Sequence, residues 1–152
     1  MIYTCGIALD LTREETLEEL QDNKLSVVCS KLNLQPTDRL LDIGCGWGTL
    51  VAYAAKNFDC DVTGVTLARK QTAFGNDRIR ANGVTADKAR ILCLDYRDLP
   101  GGPGYYNKIV SLEMAEVSSM VIYPTQSLTV PYLACRYPPL RIIPSPSLRP
   151  SR

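Results

Sequence analysis

Histidine is absent from all 152 residues, and no two of the six cysteines have CxxC spacing. Without an imidazole there is no Ser–His or Cys–His pair to make a nucleophile. Without paired thiols, zinc sites and disulfide scaffolds are disfavoured, and a reducing compartment is the default expectation. No apolar run approaches the ~20 residues needed to cross a bilayer. The opening MIYTCGIALDLTREE also lacks the basic start and apolar block of a signal peptide. The sequence therefore predicts no targeting or transmembrane segment, and a cytoplasmic location by default.

Acidic residues are missing from the end of the chain. Residues 117–152 contain no Asp, Glu, Lys, Gly or His, but hold four Arg and seven of the ten prolines. The net charge of +1 thus hides 13 basic against 16 acidic residues in 1–116, a balance of −3. Basic residues are dispersed in both parts, which argues against a nucleic-acid-binding stripe. Seven prolines also interrupt any helix or central strand in the tail. Either a proline-rich docking segment, or an end that is unstructured or erroneously encoded, fits this composition, and the pattern favours the second.

The first 116 residues are patterned. Thr12 and Glu15 have capping-box spacing, and helical periodicity after them predicts a helix over about 13–32. RLLDI is too short for a helix and reads as a buried strand; TLVAYAAKNF suits a helix. CDVTGVT, RILCLD and NKIVSLE read as further strands, with ARKQTAFGNDRIRAN a helix closed by Gly83 and LPGGPG a turn. Strands alternating with helices at this spacing predict an α/β fold with about four parallel strands and right-handed crossovers. The glycine loop of LLDIGCGWGTL then lies at the carboxyl end of the first strand, where open α/β sheets bind ligands.

Three ligands compete for Gly44, Gly46 and Gly48. A nucleoside triphosphate loop needs Gly-Lys-Ser/Thr, but Gly48 is followed by Thr49 and Leu50. A dinucleotide loop needs G-x-G-x-x-G and an acid ending the second strand. Here the spacing is G-x-G-x-G, and that strand runs into Gly64-Val65-Thr66-Leu67. S-adenosylmethionine carries an ammonium and a sulfonium, so it needs bare backbone and a nearby acid. Asp42 is placed to supply the charge, and Asp95 to accept from the adenine amino group. A tight turn holding no ligand is the remaining alternative.

LLDIGCGWG, VTGVTLARKQ, ILCLDYRDLP and KIVSLEMAE, with YTCG in front, resemble the cyclopropane-fatty-acyl-phospholipid synthase family. Within it they look most like the fungal sphingolipid C9-methyltransferases, in unbroken order from about Ile2 to Glu116. The resemblance implies a partial class I S-adenosylmethionine-dependent methyltransferase (Rossmann-like) fold, with residues 1–116 forming its N-terminal part and 117–152 an irregular tail. It implies cofactor contacts at Tyr3, Thr4, Gly44, Gly46, Thr66, Leu67, Gln71, Asp95 and Tyr96.

Methylation of a lipid carbon–carbon double bond is the chemistry the resemblance implies, at a membrane. An alkene is a poor nucleophile, so its alignment must supply rate, and the cation left after transfer needs stabilisation and dryness. The family's base is a bound bicarbonate held by a cysteine, a glutamate, a histidine and a tyrosine. Cys5 and Glu116 match the first two, and Glu113 is a neighbour whose simplest role is helix capping. The family continues His-Val-Gly after the glutamate, whereas this chain continues Val117-Ser118-Ser119. The expectation is that 117–152 is not family sequence, that membrane-anchoring segments precede YTCG in the fungal enzymes, and that the fourth strand is left an apolar edge.

Overall fold

A computed structural model describes residues 5–112 and Met114. Tyr3, Thr4, Glu113, Glu116 and the tail lie outside the described residues. The elements run α1 (Leu17–Leu32), β1 (Arg39–Ile43), α2 (Thr49–Phe58), β2 (Asp61–Thr66), α3 (Arg69–Ala81), β3 (Ala89–Cys93), a 3-10 turn (Tyr96–Asp98) and β4 (Lys108–Val110). The strands form one parallel sheet in the order β3-β2-β1-β4. This is the expected α/β alternation, and among the described residues β4 is an edge strand.

The first helix starts a full turn later than its sequence pattern suggests. Its N-cap is Thr16, which accepts from the backbone of Glu19 while the Glu19 side chain reaches back to the Thr16 backbone. The expected partner Glu15 is committed elsewhere, accepting from Leu9 N at 2.9 Å and Asn23 Nδ2 at 2.7 Å. Thr12 turns onto Asp10, with both its amide and its hydroxyl on one carboxylate oxygen. Two boxes compete in TREETLEE, and the one whose glutamate reaches back to its own cap, Glu19 to Thr16, starts the helix.

In-register residues of parallel strands point to the same face. Leu40, Val62, Ala89, Ile91 and Val110 form one core with residues of α1, α2 and α3, so all three helices cover this face. Burying side chains such as Leu40 and Val62 contributes roughly 1.5–3 kcal/mol each. The second face carries Leu41, Thr63, Val65 and Ile109, none of them part of that core. There Leu41 and Ile109 floor a cleft of about 270 Å³ walled by Leu99, Pro103 and Tyr106.

Small polar side chains finish the sheet. Asn107 Oδ1 accepts from Arg39 N at 2.8 Å, and its Nδ2 donates to the buried Asp38 at 2.8 Å, which sets β4 against β1. At the far end the ladder stops at Val110, where Ser111 Oγ donates to Ile43 O at 3.2 Å. On the other edge, Asn76 of α3 donates to Ile91 O and accepts from Ile91 N, at 2.9 and 3.0 Å. Its carboxamide occupies the backbone groups that a neighbouring strand would otherwise take.

Candidate ligand site at the glycine loop

Because the four strands are parallel, everything that follows their carboxyl ends meets along one rim. That rim holds the glycine loop after β1, Thr66 to Gln71 after β2, Asp95 and Tyr96 after β3, and Leu112 and Met114 after β4.

The loop is fixed by its backbone. The amides of Gly44 and Cys45 both donate to Val65 O at 3.0 Å, and Gly48 N donates to Cys45 O at 2.9 Å. Gly44, Gly46 and Gly48 have φ of +79°, +53° and +73°, a region that glycine enters without steric cost. Their surroundings differ. A Cβ on Gly48 would lie 2.3 Å from Ile91 Cδ1, so this glycine lets α2 start against β3. A Cβ on Gly44 would meet the Met114 side chain, whereas one on Gly46 would meet none of the described residues within 4 Å. Among the described residues, Gly46 therefore presents bare backbone to open space.

Beneath the loop lies Asp42, 3% exposed. It faces the helix side of the sheet in register with Gly64, where a Cβ would strike Val51 and Cys45. No hydrogen-bond donor among the described residues pairs with its carboxyl. Burial pushes that carboxyl up to about 7. Burial, and then Asp42 itself, push the Cys45 thiol up. For Cys29 the causes are burial, then Cys60, then Asp42, and its thiol is pushed up to about 12. These thiols stay protonated and are not nucleophiles.

The rest of the rim is polar and neutral, or already paired. Thr66 Oγ1 donates to Gln71 Oε1 at 2.7 Å and accepts from Ala68 N at 3.3 Å. Leu67 is 75% exposed and Tyr96 52%. Asp95 caps the 3-10 turn and is gripped by the Arg97 side chain at 2.9 and 2.6 Å. The Arg97 guanidinium and amide hold its carboxyl at about 2. Trp47 meets Phe74 edge-on at 5.2 Å beside the loop, a pair the sequence reading did not single out. Gly75, a glycine inside a helical pattern, was its available signal: a Cβ there would lie 3.2 Å from Trp47 O and 2.3 Å from Ile91 Cδ1.

Cys5 is exposed, next to Gly6, whose Cβ position is filled by Leu20 of α1. No hydrogen bond among the described residues joins it to the loop. Tyr3, Thr4 and Glu116 lie outside the described residues.

With this geometry in place, likeness to known proteins can be stated. Sphingolipid C9-methyltransferase A of Emericella nidulans is 60% identical over 116 residues, covering 76% of this chain and 22% of that protein. Cyclopropane-fatty-acyl-phospholipid synthase of Escherichia coli is 41% identical over 116 residues, covering 76% and 28%. The chain thus spans about a quarter of the length of these relatives. The solved structure of a mycolic acid cyclopropane synthase complexed with SAH and CTAB superposes with a TM-score of 0.64 at 31% identity, over 76% of this chain and 38% of that one. The family model for mycolic acid cyclopropane synthetase matches residues 1–129, and the chain belongs to that family.

Proposed function

We propose that this chain is the cofactor-binding part of an S-adenosylmethionine-dependent methyltransferase that acts on a lipid carbon–carbon double bond, most like C9 methylation of a sphingoid base. The observation that carries this reading is the turn after β1. Among the described residues, bare backbone at Gly46 has open space before it, above a buried carboxyl that none of them pairs with. A cationic, phosphate-free ligand fits those features, because it approaches the main chain closely and neutralises Asp42. Two alternatives fit less well. The glycine loop has no lysine for a nucleotide phosphate, and β2 ends in the neutral Thr66, hydrogen-bonded to Gln71 of α3, where a dinucleotide site has an acid. The relatives' names and the SAH complex of the solved family member support the same ligand.

In this reading Gly44 and Gly46 present backbone to the methionine end, with Tyr3 and Thr4 beside it, and Asp42 balances its charge. Thr66, Leu67 and Gln71 hold the ribose side, and Asp95 and Tyr96 the adenine. When bound, S-adenosylmethionine supplies an electrophilic methyl group. Cys5 and Glu116 are the catalytic pair by resemblance, holding a bicarbonate that serves as base. The partner is a sphingolipid or fatty acyl chain at a membrane and not a nucleic acid, with a cytoplasmic location by default. Among the described residues no helix is long and apolar enough to cross a membrane.

A second reading, a non-catalytic fragment with residual or no cofactor binding, is favoured by the small share of the relatives that this chain spans. Calorimetric titration with S-adenosylmethionine, followed by methyl transfer to a sphingolipid bearing an 8,9 double bond, separates the two. Binding with transfer supports the enzyme, binding alone supports a fragment that keeps its cofactor site, and no binding overturns the proposal and leaves an inert fragment.

A further inference from the structure

The LPGGPG turn takes no part in the cofactor rim. It walls the cleft on the second face of the sheet instead. Leu41 and Ile109 pair in register as the floor, and Leu99, Pro100, Pro103 and Tyr106 help to enclose a volume of about 270 Å³. That lies just under the lower end of small-ligand pockets, about 300 Å³, and suits one unbranched apolar chain. A Cβ on Gly101 would run into the Tyr105 ring, so a glycine there lets the turn close on Tyr105. Tyr105 in turn meets Tyr106 edge-on at 4.9 Å and carries the Arg39 guanidinium 4.7 Å from its ring centre.

Arg39 sets the chemistry at the end of this cleft. It lies two residues before Leu41 on the same strand and the same face, roughly 7 Å along β1. Its guanidinium makes no hydrogen bond or ion pair among the described residues. The two acids beside it are taken. Asp61, in register with Arg39, pairs with Arg90 at 2.9 Å, and Asp38 accepts from Gln35 N and Asn107 Nδ2, both at 2.8 Å. Tyr105 covers one face of the guanidinium and leaves its N–H edge available.

We propose that this cleft binds a long-chain fatty carboxylate, its chain over Leu41 and Ile109 and its head on Arg39. One unpaired cation matches a singly charged carboxylate, which the edge of a guanidinium takes through two parallel N–H donors. A phosphate monoester would bring a second charge with nothing to meet it. The head lies at the amino end of β1, away from the glycine loop that follows Ile43, so the inference does not rest on the cofactor reading.

Titration calorimetry of the whole chain with dodecanoate, butyrate and dodecyltrimethylammonium, each below its micelle threshold, tests this. Dodecanoate binds saturably at a single site, and butyrate, a head with almost no chain, does not bind. Dodecyltrimethylammonium, the same chain under a cationic head, binds weaker than dodecanoate by about tenfold or more. Arg39→Gln weakens dodecanoate by about tenfold, the size of one charged hydrogen bond. It does not weaken dodecyltrimethylammonium, and Arg39→Lys recovers part of the loss. Circular dichroism verifies that each variant keeps its sheet and helices. Dodecanoate carrying a nitroxide on its chain broadens the methyl NMR signals of Leu41 and Ile109, and spares Leu9 and Leu11, which are exposed elsewhere. Equal affinity for the two head groups, undiminished dodecanoate binding in Arg39→Gln, or broadening at Leu9 and Leu11 instead overturns the inference. So does the absence of saturable binding, the result if residues 117–152 or a second copy of the chain already cover the cleft.

Discussion

Replacing Asp42 by asparagine should make this protein more stable at pH 8 while weakening its ligand. Asp42 is 3% exposed, and burial alone raises its carboxyl from 3.8 to about 7. A group whose folded pKa lies above its unfolded one binds more protons in the native state, so stability falls as pH rises between the two values. The shift is about three units, and each unit corresponds to about 1.4 kcal/mol, giving a loss on the order of 4 kcal/mol from pH 4 to above pH 8. The sequence makes this window clean, because no histidine titrates in it. Glu19 and Asp95 are held at about 2, by Arg13 and Arg97 foremost, and the Cys29 thiol is pushed up to about 12, so these titrate outside it. Urea unfolding from pH 5 to 8.5 measures the profile. The unsubstituted chain should lose stability across it with a slope of up to about 1.4 kcal/mol per unit, while Asp42→Asn should be nearly flat and the more stable of the two at pH 8. S-adenosylmethionine should bind the unsubstituted chain more tightly as pH rises through 7, because the cation favours the ionised carboxyl, and that trend should vanish in the variant. A flat or rising stability profile in the unsubstituted chain, or the same slope in both, would refute the reasoning.

Other expectations concern packing. Gly48→Ala places a Cβ 2.3 Å from Ile91 Cδ1 at φ +73° and should cost about 2–4 kcal/mol in chemical denaturation; adding Ile91→Val should recover the clash but not the backbone strain. Asn76→Ala should cost roughly 1–3 kcal/mol by leaving two groups of Ile91 unpaired, and should raise light scattering on warming because the β3 edge is opened. Thr16→Ala should lower stability by about 1 kcal/mol and Thr12→Ala by less than about 0.5 kcal/mol, since only Thr16 caps α1.

What the sequence made legible is local periodicity. The alternation of short apolar runs with longer amphipathic ones placed four strands and three helices, and the position of the glycines after β1 placed the rim. Choices that depend on tertiary competition were not legible. The start of α1 was decided by Asn23, eight residues downstream, which takes up Glu15 and leaves the second box to cap the helix. Asp42 could be placed beside the loop from its spacing, but not its burial on the helix face next to two thiols, because that depends on Gly64 in a different strand. Asp95 reads as a free acceptor in the sequence. Arg97, two residues on, folds back onto it, a contact that side-chain spacing in an irregular turn does not forecast.

Hydrogen exchange of the backbone amides, with and without saturating S-adenosylhomocysteine, asks most directly whether the turn after β1 is the cofactor cradle. Slowed exchange at the proposed contacts, residues 3–4, 44–48, 66–71 and 95–96, is the predicted result. Binding that leaves those amides unchanged, or protects the cleft floored by Leu41 and Ile109 instead, would contradict it.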